Sequence, residues 1–116
     1  MRYLLGMNGK YHIVLTTCPD PGVADTLASA LVDQGLAACV NILPAMRSVY
    51  YWKGERQTGE EHLLLIKSRA EDYAAIEEAI LAMHPYELPE IIAVSIDTGL
   101  AAYLAWIGSS EEIYKA

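Results

Sequence analysis

The chain has 116 residues, of which 53% are hydrophobic and 20% are charged, so it is long enough to form one domain with its own core. Eight basic against fifteen acidic residues give a net charge of −7, which argues against nucleic acid or an anionic membrane as the main partner. The mean hydropathy of +0.20 is high for a domain this small and predicts that some apolar surface is buried between subunits.

The cysteines and the two ends of the chain bear on its location. Cys18 and Cys39 form neither a CxxC pair nor a dense disulfide framework, which predicts reduced thiols and a cytoplasmic protein. No apolar stretch reaches the roughly 20 residues needed to cross a bilayer. Residues 1–10 show no clear period and are expected to form a loosely ordered leader, with Met7 as an alternative start. We expect a single domain over 1–116.

The first predicted elements are a strand, a helix and a second strand. Residues 11–17 are β-branched and apolar on both faces, which is typical of a central strand. Asp20 supplies an N-cap and Pro21 the first helical position, and Gly35 ends the helix that follows. A second strand is predicted over 36–43, where the following proline ends or bends it.

A long hairpin is predicted next. Residues 48–53 favour a strand, 54–59 form its polar tip and 61–68 return. Three large rings, Tyr50, Tyr51 and Trp52, lie close to this tip. Either they are buried against another copy of the chain, since aromatic residues dominate interfaces, or the hairpin folds back and they belong to the core.

The second half repeats the order of the first. A helix is predicted over 70–83, a last strand over 91–96 and a short helix around 100–107. The order β-α-β, β-α-β predicts an α+β, ferredoxin-like βαββαβ sandwich with a C-terminal helix. Right-handed crossovers then place both long helices on one side of an antiparallel sheet, with strand order 4-1-3-2.

Four segments together carry a resemblance to a known family. They cover nearly the whole chain and are Leu36-Ala37-Ala38-Cys39-Val40-Asn41, Ser48-x-Tyr50-Tyr51-Trp52-x-Gly54, His84-Pro85-Tyr86-Glu87-x-Pro89-Glu90-Ile91, and Tyr103-Leu104-x-Trp106-Ile107. In this combination the chain resembles the CutA family of divalent-cation tolerance proteins.

The resemblance implies an assembly and a function. It implies a ferredoxin-like subunit in a tight homotrimer whose architecture is similar to that of the PII signalling proteins. It further implies tolerance of copper and other divalent metals, binding of copper or a related ion by some members, and no established enzymatic reaction. Protein partners other than further copies of the chain are not implied.

The resemblance also implies metal ligands. Those proposed in the family correspond to His84 and Glu90, and to a cysteine at the position of Thr16, two residues before Cys18. A shift of two keeps the same side of a strand but moves the sulfur by about 6–7 Å. Cysteine, histidine and glutamate together suit copper or zinc better than magnesium or calcium.

Each of these three residues also has a structural interpretation. His84 is suited to a helix C-terminus, and Glu90 to a solvated position at the start of a strand. Cys18 lies just before a predicted helix, whose positive end lowers the pKa of a nearby thiol, but an isolated cysteine is also suited to simple packing. Cys39, inside an apolar strand, is expected in the core.

A second candidate site is a cleft between subunits. Lys67, Tyr86, Glu87 and Trp52 are expected to converge there, where one cation, a carboxylate and rings would suit a small polar or anionic ligand. The alternative is that Lys67 only pairs with Glu87 or Glu90 across an interface.

Two functional hypotheses follow, with a third of another class. The first is a cytoplasmic homotrimeric metal-response protein that is not an enzyme. The alternative is a PII-like signalling module that binds a small metabolite between subunits, and the third is a thiol enzyme using Cys18. The sequence contains none of the GxxxxGK[ST], GxGxxG, HExxH or GxSxG motifs, so ATPase, dehydrogenase, zinc protease and α/β-hydrolase functions have no support.

Overall fold

The computed structural model describes residues 10–109, where four strands and three α-helices alternate. In chain order they are β1 (Tyr11–Cys18), α1 (Pro21–Asp33), β2 (Cys39–Trp52), β3 (Glu55–Arg69), a 3-10 turn (Ala70–Asp72) that leads into α2 (Tyr73–Met83), β4 (Ile91–Ser95) and α3 (Ala101–Ile107). The predicted leader lies outside the described residues except for Lys10.

The four strands form one antiparallel sheet in the order β2-β3-β1-β4. This is the predicted order 4-1-3-2 counted from the other edge, so the predicted topology is confirmed. β1 is central as predicted, and it pairs with β3 from Tyr11 opposite Arg69 to Cys18 opposite His62.

The core lies between the sheet and the two long helices. Alternate residues of the central strands point to that side, and they meet one apolar stripe from each helix. The fully buried members include Val14, Leu64 and Ile66 from the sheet, Leu27 and Leu31 from α1, and Ile76 and Ile80 from α2. Both crossover helices therefore cover the same side of the sheet.

The predicted N-cap of α1 is also confirmed, since the amide of Val23 donates to the Asp20 carboxylate at 2.9 Å.

The opposite side of the sheet, called the open face here, is covered only in part. α3 lies against it, since Gly108, directly after this helix, lies against the ring of Tyr11. Burial, and then the neighbouring thiol of Cys39, raise the pKa of Tyr103 on this helix. Cys39 is therefore half-buried under α3, and the prediction that it belongs to the core is wrong. The edge strands leave apolar side chains uncovered on this face, namely Leu43 at 42%, Ile92 at 52% and Val94 at 50% exposure.

The hairpin differs from its prediction at two places. β2 does not end at Pro44 but passes through a β-bulge, with Leu43 opposite Leu63 and Met46 opposite Glu61. Ala45 has a φ of 56° there, and proline is tolerated because it lies on an edge strand and at the bulge.

The second difference is at the tip. Its turn consists of Lys53 and Gly54 alone, both with positive φ, which is the geometry of a two-residue type I′ turn. The polar segment 54–59, predicted as a loop, is therefore mostly strand.

The three rings of the hairpin are uncovered within one chain. Tyr50 is 49% exposed, Tyr51 75% and Trp52 36%. The alternative that the hairpin folds back and makes them core residues is wrong for the single chain. Their burial between copies stays a prediction.

Candidate functional site

A cavity of about 530 Å³ opens where the central strand ends. β1 stops at Cys18, opposite His62, so the outer half of β3 has no neighbour on that side. The loop of residues 84–90, between α2 and β4, occupies the vacated space. The cavity lies between this loop and the outer half of the hairpin.

Its lining combines rings, carboxylates and a few apolar groups. The residues are Thr17, Ser48, Val49, Tyr50, Trp52, Glu61, Tyr86, Glu87, Leu88 and Glu90. Of the described residues that line it, none is a lysine, arginine or histidine. The lining within one chain therefore carries carboxylates and no basic side chain, and it is less suited to the anionic than to the polar member of the predicted small polar or anionic ligands.

His84 attaches the loop to the end of β1. The amide of Tyr86 donates to its Nδ1 at 3.1 Å, so Nδ1 carries a lone pair and the proton is on Nε2. Nε2 lies 2.7 Å from the carbonyl of Thr17, to which it donates. His84 is also the C-cap of α2, which agrees with its structural interpretation. Both ring nitrogens are therefore engaged within the chain.

Tyr86 attaches the same loop to β3. Its hydroxyl donates to Glu61 Oε2 at 2.8 Å. Burial first, and then this hydrogen bond, raise the pKa of Tyr86 well above its usual value, so the hydroxyl remains a donor. Glu61 is thus held at the cavity wall by a group from the opposite side.

The mouth of the cavity carries a cation from the turn. Lys53 Nζ lies 5.7 Å from the centroid of the Trp52 ring and 3.6 Å from Glu87 Oε1. Both charged side chains are largely exposed, at 70% and 73%, so the pair contributes little to stability.

The predicted metal ligands are not gathered into one group. Within residues 10–109, no three His, Cys, Asp or Glu side chains come close enough together to hold a metal ion. Glu90 is exposed at the cavity, whereas His84 is buried and both its nitrogens are engaged. The predicted set of His84, Glu90 and Cys18 is thus not preformed within one chain.

Cys18 points into the core, and the expected effect of the helix on its thiol is wrong. Its side chain is fully buried, and Thr16, the position to which the resemblance assigns a cysteine ligand, is buried on the same side of β1. Burial, followed by the charges of Asp20 and Glu61, raises the pKa of Cys18 to about 11. The thiol is therefore protonated at neutral pH and enclosed, which removes the basis for a Cys18-dependent enzyme.

Within one chain Lys67 does not reach the cavity, and its convergence with the other predicted residues between subunits stays a prediction. Its ammonium bonds to Asn41 Oδ1 on the open face. Lys67 and Glu61 point to the same side of β3 but are six residues apart, roughly 20 Å along the strand. The other three predicted residues, Tyr86, Glu87 and Trp52, do line the cavity.

Glu61 is the residue of this site that sequence reasoning missed. Its position in the sequence predicts only the start of a return strand. Alternation along β3 places Glu61 on the same side of the sheet as Lys67, but only the tertiary position of the loop 84–90 brings it against Tyr86. The hairpin rings also divide here, because Tyr50 and Trp52 face the cavity, whereas alternation turns Tyr51 to the other side.

The fold and the cavity define a class: a small α+β protein whose antiparallel sheet extends into a long hairpin beside an acidic, aromatic-lined cavity. The model of the family "CutA1 divalent ion tolerance protein" matches residues 12–110. The chain belongs to this family, as the sequence segments had indicated.

Individual relatives agree with this assignment. A divalent-cation tolerance protein CutA from Thermus thermophilus is 45% identical over 96 residues, covering 83% of this chain and 93% of its own. A CutA homolog from Xenopus laevis is 40% identical over 102 residues, covering 88% and 68%. The solved structure of the Thermus thermophilus protein has a TM-score of 0.82 at 44% identity and covers 84% of this chain and 94% of its own.

Among the described helices, none has the length and apolar character needed to cross a membrane.

Proposed function

We propose that this chain acts in tolerance of divalent cations, as a homotrimeric, non-enzymatic metal-response protein of the cytoplasm that binds copper or a related ion. The observation that carries the proposal is the family match over residues 12–110. The free thiols of Cys18 and Cys39 are in keeping with a reducing compartment.

His84 and Glu90 are the ligands we propose, with Cys18 as a third. A neutral imidazole and a carboxylate form a donor set that suits copper or zinc. The Nδ1 atom of His84 carries a lone pair, so a metal ion would gain it by displacing only the amide of Tyr86. Cys18 would in addition have to lose a proton from a buried thiol. Binding is therefore expected to be weak and to require local rearrangement of the loop 84–90.

Titration calorimetry with Cu(II) and Zn(II) tests this ligand assignment. Glu90→Gln removes an exposed charge, so it is expected to weaken binding several-fold without lowering the melting temperature. Glu60→Gln, an exposed residue of β3 outside the cavity, is the matched control. Equal metal affinity in Glu90→Gln and the wild type would contradict the assignment of Glu90.

Support for the homotrimer comes from uncovered apolar area. The open face leaves Leu43, Ile92 and Val94 about half exposed, and the hairpin rings extend beyond the sheet. Several large apolar side chains left exposed on one face are typical of an interface between proteins. Light scattering is expected to give three times the mass of the chain, and a monomer mass at micromolar concentration would contradict the trimer.

The PII-like alternative gains no support. Its cleft was to be built around the cation of Lys67, which instead bonds to Asn41 on the open face. The relatives compared above carry CutA names and do not point to signalling.

A further inference from the structure

Tyr86 is attached to the rest of the chain at three points. Its amide donates to Nδ1 of His84 at 3.1 Å, and its ring lies 4.7 Å from the His84 ring, measured between the centroids. Its hydroxyl donates to Glu61 Oε2 on β3 at 2.8 Å. All three contacts are formed within one chain, so they do not depend on which surfaces other copies cover.

The amide contact occupies the lone pair that His84 could offer to a metal ion. Nε2 of His84 carries the proton and donates to the carbonyl of Thr17, which belongs to the central strand. Nδ1 is therefore the nitrogen that can be released, and it is released only when the amide of Tyr86 moves away. For His84 to act as a ligand, the loop 84–90 must shift at Tyr86.

The hydroxyl contact opposes that shift. A tyrosine side chain has only two χ angles, so a displacement of the Tyr86 backbone draws its hydroxyl away from Glu61. The backbone of Glu61 cannot follow, because it is paired with Met46 of β2. A hydrogen bond from a half-buried hydroxyl to a carboxylate is among the stronger ones in proteins. Releasing Nδ1 of His84 therefore costs more than the amide contact alone.

We propose that the hydrogen bond between Tyr86 and Glu61 controls the affinity of His84 for metal ions. Tyr86 and Glu61 are positioning residues: they hold the loop 84–90 where the amide of Tyr86 occupies Nδ1. The inference rests on the proposed function, in which His84 is a metal ligand, and it adds a restraint on that ligand. Metal binding and the Tyr86–Glu61 bond disfavour each other by the same free energy, so weakening the bond strengthens metal binding.

Titration calorimetry of the full chain with Zn(II) at pH 7 tests the proposal through Tyr86→Phe. This substitution keeps the ring and the amide but removes the hydroxyl, so about tenfold tighter binding is expected from the loss of one hydrogen bond to a charged group. Tyr51→Phe, at an exposed ring on the other side of the hairpin, is the matched control and is expected to bind as the wild type does. A merely structural role of the Tyr86 hydroxyl would lower the melting temperature without tightening metal binding.

Glu61→Gln distinguishes a positioning role of Glu61 from a role as metal ligand. The amide oxygen accepts a weaker bond from the Tyr86 hydroxyl than the carboxylate does, so several-fold tighter Zn(II) binding is expected. A ligand would have the opposite effect, because loss of its charge weakens binding. Glu60→Gln, the preceding residue of β3 and outside the cavity, is expected to bind as the wild type does. Weaker binding in Glu61→Gln than in the wild type overturns the proposal.

A second readout needs no metal. Amide hydrogen exchange at residue 86, followed by NMR, is expected to be several-fold faster in Tyr86→Phe than in the wild type, because the amide leaves Nδ1 of His84 more often. Unchanged exchange would show that the hydroxyl does not hold the loop.

The calorimetric outcomes separate this inference from the proposed function. Zn(II) binding of equal affinity in the wild type, Tyr86→Phe and Glu61→Gln overturns the inference and leaves the metal function standing. No Zn(II) binding by either the wild type or Tyr86→Phe overturns the assignment of His84 as a ligand, and the inference with it.

Discussion

The two sides of the sheet are built on different principles. On the helix-covered side, Val14, Leu64 and Ile66 are fully buried by residues of the same chain. On the open face and the outer hairpin, apolar residues such as Ile92 and Tyr51 remain 52% and 75% exposed. The core on the first side is fully buried within one chain, whereas the second side carries apolar residues that nothing in the same chain covers. Stability and assembly should therefore respond to different substitutions.

The largest expected effect compares two isoleucines, one on each side. Ile66→Ala leaves a cavity in the closed core and is expected to lower the free energy of unfolding by about 2–5 kcal/mol. Ile92→Ala removes half-exposed area, so its effect on chain stability is expected to be smaller. Urea unfolding at one fixed protein concentration measures both.

For the stability of the assembly, the order of the two variants should be the reverse of their order for chain stability. Upon dilution, Ile92→Ala is expected to lose mass by light scattering at higher protein concentration than Ile66→Ala does, because only Ile92 is available to another copy. Equal unfolding losses, together with equal dissociation, would contradict the division between the two sides.

A second prediction concerns the enclosed thiol at the end of β1. The pKa of Cys18 rises from 9.0 to about 11 on folding, so the folded state keeps its proton more firmly than the unfolded state. The resulting stabilisation is fully present below pH 9 and is lost as the pH rises through 11. The free energy of unfolding should fall by at most about 1.4 kcal/mol per pH unit in this window because of this group.

The matched variant for this prediction is Cys18→Ala, which lacks the titrating thiol but keeps every tyrosine and lysine. Its unfolding free energy, measured by urea denaturation from about pH 8.5 to about pH 11, should decline less steeply than that of the wild type. Parallel pH profiles would show that the thiol is not protected by folding.

The smallest effect concerns the turn at the hairpin tip. Gly54 has a φ of +83°, where a Cβ is disfavoured, so Gly54→Ala is expected to cost about 1 kcal/mol. Gly59, on the same hairpin, has no such φ, and no atom lies within 4 Å of the point that a Cβ would occupy. Gly59→Ala should therefore be neutral or slightly stabilising. Thermal melting compares the two, and equal shifts would argue against the type I′ turn.

Features fixed by local chemistry were predictable from the sequence. Asp20 and Pro21 defined the start of α1 because capping acts within one helical turn. The strand order followed from the order of elements and the handedness of crossovers.

Features that depend on tertiary position were not predictable. The polar residues after Gly54 suggested a loop, yet they form a strand because each pairs with a residue of β2, from Glu55 opposite Trp52 to Glu60 opposite Arg47. For Cys18, proximity in sequence to a helix start suggested an activated thiol, whereas its direction into the core decides the outcome. The contact of Glu61 with Tyr86 was missed for the same reason, since sequence alone does not give the distance from β3 to the loop 84–90.

The bulge at Pro44 and Ala45 determines which side of the sheet each later side chain of β2 faces, up to the turn. The extra residue makes the even-numbered positions, Tyr50 and Trp52, share a side with Glu61. If the bulge were closed with every residue kept, strict alternation from Leu43 would turn Tyr51 and Lys53 to that side instead, replacing an indole with an ammonium. In this hairpin the set of side chains that faces the cavity thus depends on a backbone irregularity as much as on residue identity, since closing the bulge would exchange both positions at once, which no single substitution does.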